Sequence, residues 1–261
     1  MNATVDCHPT AVVEPGAELG TGVKVGPYAV IKSTARVGDE CEIGAFAVVD
    51  EYAVLGTANR LFPHACVGSE PQDLKFEGEV SYLEVGDRNV FREFVTANRG
   101  TAGGGGVTRI GSENLFMAYC HVAHDCVVGD HTIFGNAAAL AGHVEVGDWA
   151  ILNAYAAVQQ FVRIGAHAYL AGMCGSTRDV VPFSKVHGNP AQIIGLNAIG
   201  LQRRGFDSDT RSQLKHAFKL LFRAKLNTTQ ALDAVAEAGL DGAEVRQLVD
   251  FVTGSQLGIV K

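Results

Sequence analysis

The chain has 261 residues, 47% of them hydrophobic, enough to bury one large core beside a smaller unit. A formal net charge of −7 argues against nucleic acid as a general partner, because phosphate binding needs net or local basicity. The first nine residues hold no apolar stretch and no run of eighteen apolar residues occurs, so neither a signal peptide nor a membrane span is expected.

From Val13 the chain repeats every six residues. Val13, Leu19, Val25, Ile31, Val37, Ile43, Val49, Leu55, Leu61 and Val67 are spaced without a slip. Four places after many of them stands a small residue: Ala17, Ala29, Ala35, Cys41, Ala47, Ala53, Ala65. A second array of the same kind runs from Ile110 through Phe116, Val122, Val128, Phe134, Leu140, Val146, Leu152, Val158 and Ile164 to Leu170. A period of six is neither helical nor a strand alternation. Read as a short strand and a turn, three times per circuit, it predicts a triangular β-solenoid of eighteen residues per coil. Residues eighteen apart then stack at the strand spacing of roughly 4.8 Å.

Two excursions interrupt the array, near 69–83 and 98–107, the second around Gly103-Gly104-Gly105-Gly106. The glycine run lacks the strand–loop–helix context of a phosphate cradle and is expected to be a loop. Beyond the repeats, Ser208–Ala224, Thr228–Ala238 and Asp241–Thr253 read as helices, the last with an Asp241/Glu244 pair resembling a capping box. Residues 1–190 are therefore expected to form the solenoid and 191–261 a helical domain covering its open end. The six cysteines show no CxxC spacing, and four of them (Cys41, Cys120, Cys126, Cys174) fall at small inward positions. That fits core filling in a reducing, cytoplasmic compartment.

Eighteen-residue stacking places Gly142 and Gln160 above His124, with His121, Asp125 and His143 beside them. A neutral histidine oriented by Asp125 suits proton abstraction from a hydroxyl, and the Gly142 N–H could meet an oxyanion. No serine stands in an elbow motif and Cys126 belongs to an inward position, which favours direct transfer over a covalent acyl-enzyme. The other use of three histidines is a zinc site, but His121 and His124 are separated by two residues, short of the four that zinc-binding relatives of this repeat class place between theirs. No metal and no cofactor are expected. A scaffold without catalysis is the remaining alternative.

The hexads resemble the hexapeptide-repeat acyltransferases, and that resemblance implies a left-handed parallel β-helix, although parallel crossovers are otherwise right-handed. The segments Gln72-Asp73-Leu74-Lys75, Glu84-Val85-Gly86-Asp87-Arg88-Asn89, Arg99-Gly100-Thr101, His121-Val122-Ala123-His124-Asp125-Cys126, Leu140-Ala141-Gly142-His143, Gln160-Phe161 and Arg203-Arg204-Gly205-Phe206 resemble, in order, the UDP-N-acetylglucosamine O-acyltransferase family of lipid A synthesis. The resemblance implies a homotrimer with sites between subunits. It would transfer an (R)-3-hydroxyacyl chain from acyl carrier protein to the glucosamine 3-hydroxyl of UDP-N-acetylglucosamine. It further implies His124 as general base, Asp125 as its partner and Gly142 as oxyanion donor. Gln72, Asp73, Lys75, His121, His143 and Gln160 would line the sugar and pantetheine region, and Asn197 and Arg203 would hold the nucleotide. Gly172, with Met173 beside it, would set acyl length, glycine leaving room for a longer chain. Lys215, Lys219, Arg223 and Lys225 are candidate docking charges for the acidic carrier protein, or a solvated helix face. Two positions depart from the family, Gln159 and Asn98, where histidine is usual.

Overall fold

The computed structural model describes residues 5–261. Short parallel strands, most of two residues, coil into a three-sided prism whose faces are three parallel sheets. The first sheet begins with Asp6–Cys7 and Lys24–Val25, the second with Val12–Val13 and Val30–Ile31, the third with Glu18–Leu19 and Arg36–Val37. The chain visits them in that order on every coil. Register follows the hexads: Val30 pairs with Val48, Val122 with Leu140, Leu140 with Val158. The coil is left-handed.

The inward positions form one continuous core of branched aliphatic and small side chains, with Phe91, Phe116 and Phe134 stacked within it at centroid separations of 4.9 and 4.8 Å. The small inward position also carries a polar column that the hexads conceal. Asn89 Nδ2 donates to Asn59 Oδ1 at 3.0 Å, the Asn114 N–H to Asn89 Oδ1 at 2.9 Å, and Thr132 Oγ1 to Asn114 Oδ1 at 2.6 Å. All four side chains are buried, and bonding along the prism axis offsets that burial, with Asn114 Nδ2 left without a partner among the described residues.

At most corners the chain makes a tight turn whose third residue past the inward apolar one adopts a left-handed backbone, as in Tyr28 (φ 58°), Asp125 (φ 60°), His143 (φ 62°) and Phe161 (φ 65°). Non-glycine residues resist this region at roughly 1–3 kcal/mol each, and they persist because the ladders above and below over-determine the turn. The preceding residue's N–H points off the ladder. Five of the seven prolines (Pro9, Pro15, Pro27, Pro63, Pro182) occupy that position, where a missing donor costs nothing.

Both excursions leave the same corner, between the second and third sheets. Val85 pairs with Leu55, thirty residues back, so the first excursion adds twelve residues, two whole hexads, and returns in phase. Val122 pairs with Ala97, twenty-five residues back, so the second adds seven. The glycine run is a tight turn: Ala102–Gly104 form one turn of 3-10 helix, and Gly105 and Gly106 adopt φ of 92° and 81°.

The helical unit starts later than residue 191. Gln192–Leu196 first adds an antiparallel strand to Ser184–His187, extending the first sheet, because the chain reverses at Gly188 and can still satisfy that sheet's open edge. Then follow α1 (Ala198–Arg203), absent from the sequence-based expectation, α2 (Ser208–Arg223), α3 (Thr228–Glu237) and α4 (Ala243–Thr253). The capping box expected at Asp241/Glu244 is not formed. Gly242 is the N-cap of α4 without a side-chain bond, and the reciprocal box lies at Asn227 and Gln230 of α3. The helices enclose a second apolar core that reaches the prism through Val181 and Phe183.

Candidate active site

The corner between the second and third sheets gathers His124–Asp125, Gly142–His143 and Gln160–Phe161 on successive coils, with both loops beneath them. The His143 N–H donates to the His124 carbonyl at 3.1 Å and the Phe161 N–H to the Gly142 carbonyl at 3.2 Å. The column inferred from eighteen-residue stacking therefore exists.

At its base, His124 Nδ1 lies 2.8 Å from Asp125 Oδ2. The Asp125 side chain is 1% exposed and that of His124 12%. A buried carboxylate needs donors, and Asp125 has them: the Thr101 N–H reaches Oδ1 at 2.8 Å and Thr101 Oγ1 reaches Oδ2 at 2.7 Å. The Asp125 N–H donates to Thr108 Oγ1 at 2.7 Å, which pins the left-handed turn. With Asp125 on Nδ1, His124 Nε2 is left for chemistry.

Gly142 stands against that ring. A Cβ built on it would come within 2.7 Å of His124 Nε2, so only glycine lets the imidazole lie there. Gly142 occupies the off-ladder turn position, and among the described residues its N–H donates to no acceptor. His143 meets the His124 ring edge-on at 5.2 Å between centroids and stacks on Phe161 at 4.5 Å. His143 Nε2 is 3.7 Å from Asp125 Oδ2. His121 bonds to Thr96 Oγ1 at 2.8 Å, and burial, helped by the nearby His124, lowers its pKa. His121 thus stands apart from the compact trio His124, Asp125, His143, the only such donor group of its kind among the described residues. Any ion at that trio would have to compete with Thr101 for the Asp125 carboxylate.

The long loop supplies Asp73 and Lys75. Asp73 Oδ1 accepts from the Lys75 N–H at 3.0 Å, and both residues face His143, Phe161 and Thr101 across a cleft of 380 Å³. Gln72 lies in the same loop, exposed, outside that lining. Gln160 and Gln159 are exposed on the corner. On the third-sheet side, a cleft of 640 Å³ runs past Asp125, His143, Glu145 and Arg163 to Gln256 and Leu257 after α4. The part played by that C-terminal segment has no signal in the repeats. Asn98 is a buried staple whose Nδ2 donates to the carbonyls of Glu70 at 2.8 Å and Ser69 at 3.3 Å, holding the base of the long loop.

Asn197, Arg203, Gly172 and Met173 lie elsewhere. Asn197 caps α1 through Gly200, and its Nδ2 donates to the His167 carbonyl at 3.0 Å. With Arg203 it lines a pocket of 430 Å³ against Ile151, Tyr169 and Lys185 of the first sheet, the face opposite the His124 corner. The next residue, Arg204, locks α1 down: its guanidinium contacts His167 Nδ1 at 3.2 Å, the Trp149 carbonyl at 2.8 Å and the Trp149 ring. Gly172 and Met173 form the corner between the first and second sheets, where a side chain at Gly172 would meet only the Ala154 carbonyl, at 3.5 Å, and Met173 is 74% exposed. A groove of 570 Å³ by Lys24, Glu42 and Arg60 lies on the first coils, where those side chains pair with one another. Burial pushes the Cys126 thiol up to about 12, so it is no nucleophile at neutral pH.

A hexapeptide-repeat prism with a histidine–carboxylate pair on one corner and a helical cap defines a hexapeptide-repeat transferase. Residues 16–51 and 108–142 match the bacterial transferase hexapeptide model, and residues 179–260 match the second domain of UDP-N-acetylglucosamine O-acyltransferase. Over 97% of its length the chain is 50% identical to the acyl-[acyl-carrier-protein]–UDP-N-acetylglucosamine O-acyltransferase of Thiobacillus denitrificans, covering 98% of that protein. It is 48% identical to the one from Stenotrophomonas maltophilia, covering 97% of each. Among solved structures, UDP-N-acetylglucosamine acyltransferases from Bacteroides fragilis (TM-score 0.95, 38% identity, 97% of this chain and 99% of that one) and Francisella novicida (TM-score 0.94, 33%, 98% and 94%) superimpose on it. The chain belongs to the UDP-N-acetylglucosamine O-acyltransferase family.

Proposed function

We propose that the protein transfers an (R)-3-hydroxyacyl chain from acyl carrier protein to the glucosamine 3-hydroxyl of UDP-N-acetylglucosamine, the first step of lipid A synthesis. The observation that carries the mechanism is the buried Asp125 on His124 Nδ1 with Gly142, whose N–H has no acceptor among the described residues, packed against the same ring. His124 Nε2 takes the proton of the acceptor hydroxyl as its oxygen attacks the thioester carbonyl. Asp125 holds the ring and balances the imidazolium. The oxyanion of the tetrahedral intermediate meets the Gly142 N–H, and its collapse expels the pantetheine thiolate, which takes the proton back from His124. Preorganised donors of this kind contribute about 10²–10³-fold in kcat.

Lys75, Asp73, Gln72, His121, His143 and Gln160 surround that reaction and bind sugar and pantetheine. Asn197 and Arg203 bind the nucleotide, with Arg203 exposed and suited to the pyrophosphate. Within one subunit the first-sheet pocket and the His124 corner are on opposite sides of the prism, so a complete site needs two copies. A homotrimer with sites between subunits supplies them. The corner between the first and second sheets favours such packing: Tyr28, Phe46, Phe94 and Tyr119 expose their rings along it, stacked with His64 at about 5 Å. Gly172 on that corner leaves room for a longer acyl chain. The exposed Lys215, Lys219, Arg223 and Lys225 on and after α2 dock the acidic carrier protein.

No helix among the described residues is long and apolar enough to cross a membrane. A cytoplasmic location follows from the substrates of the proposed reaction. The test is turnover of hydroxyacyl carrier protein and UDP-N-acetylglucosamine by the purified protein, with sedimentation giving the assembly. Turnover of acetyl-coenzyme A alone, or stoichiometric zinc, would contradict the reading.

A further inference from the structure

We infer that Thr101 is the positioning residue of the His124–Asp125 pair and that the glycine loop is built as a strut for the Asp125 carboxylate. The inference rests on the acyl-transfer reading above. Thr101 N–H and Oγ1 grip the two carboxylate oxygens at 2.8 and 2.7 Å, and Oδ2, which takes the hydroxyl, is also the oxygen facing His124 Nδ1. A carboxylate held at both oxygens cannot turn about its bond to Cβ, so the direction of its bond to His124 is set by Thr101.

The loop is shaped to deliver that grip. The Gly104 N–H donates to Thr101 Oγ1 at 3.2 Å and the Gly106 N–H to the Thr101 carbonyl at 2.8 Å, closing the turn on Thr101. A Cβ at Gly104 would fall 2.0 Å from Asp125 Cγ, so the backbone packs directly on the carboxylate. The strut is tied to the loop carrying Asp73 and Lys75 by the Ala102 N–H, which donates to Glu79 Oε1 at 3.0 Å, a bond that also lowers the Glu79 pKa. The seven-residue excursion thus connects the substrate-facing loop to the general base. This is why a regular prism breaks its frame there.

The variants Thr101→Val and Thr101→Ser separate positioning from folding. Loss of the hydroxyl lets the carboxylate turn, and a misplacement of the base of this order lowers kcat about 10²-fold, with KM for either substrate within about twofold. Serine restores the hydroxyl and returns most of kcat. Gly104→Ala, which presses on the same carboxylate with the hydroxyl intact, is expected to lower kcat likewise. The chemical shifts of the His124 ring in the intact protein read the same displacement without turnover. Unmoved His124 ring resonances with wild-type kcat in Thr101→Val, or failure of serine to rescue, would overturn the role of Thr101. Absence of wild-type turnover would count instead against the acyl-transfer reading.

Discussion

Gly142 and His124, eighteen residues apart, are in direct contact: the glycine Cα leaves space for the imidazole that any Cβ would fill, at 2.5 Å from Cε1 and 2.7 Å from Nε2. One coil therefore supplies the base, and the next supplies both the gap it occupies and an N–H without an acceptor among the described residues. Gly142→Ala is expected to displace the ring and lower kcat by about 10²-fold or more while leaving the prism folded, since alanine fits a turn of ordinary negative φ. Steady-state kinetics with circular dichroism checks this.

Arg203 offers the complementary test on the opposite face. Removing a charge-assisted bond to the pyrophosphate costs about 1.5–3 kcal/mol, roughly 10- to 100-fold. Arg203→Ala should raise KM for the UDP-sugar by that factor with kcat for saturated enzyme little changed. An unchanged KM would remove the nucleotide from the first-sheet pocket.

Much of this arrangement is legible in the sequence, because the prism turns spacing into contact. Once residues eighteen apart are stacked, His124, Gly142 and Gln160 must share a corner, and the return of Val85 in phase marks a loop of whole hexads. Repeat arithmetic stops where side chains meet. It places the ends of the glycine loop but not the fold of Thr101 back onto Asp125. It does not single out Asn59, Asn89 and Asn114, which bond to one another down the axis. Asn98, which stands where histidine is usual in the family, is a buried staple for the long loop. Past the repeats only helix patterning remains. It finds α2, α3 and α4 and misses α1, whose position depends on Asn197 and on the clamp of Arg204 over Trp149.

That clamp has a pH signature. Burial, reinforced by the Arg204 charge, lowers the His167 pKa to about 4 from its ordinary 6.5. The folded protein therefore disfavours a proton that the unfolded chain accepts. Stability from this group is complete above about pH 6.5 and is lost as pH falls toward 4. His167→Gln should flatten that stretch of the Tm-against-pH curve. An equally steep acid decline in the variant would assign it to other groups.

The phenylalanine stack tests the core. Phe116 is fully buried between Phe91 and Phe134. Phe116→Ala leaves a cavity with no polar group to hydrate it and should cost about 3–5 kcal/mol in urea unfolding. A loss under about 1 kcal/mol would mean that the coils collapse around the gap.

The central claim, that His124 is the base of a hydroxyacyl transfer to a UDP-sugar, is tested most directly by mass spectrometry. Wild-type protein and His124→Ala are incubated with UDP-N-acetylglucosamine and a ladder of (R)-3-hydroxyacyl carrier proteins. The wild type is expected to give O-acylated UDP-N-acetylglucosamine, with a preference for longer chains, and His124→Ala to give none while keeping its assembly. Acylated product from His124→Ala at a near-normal rate would contradict it.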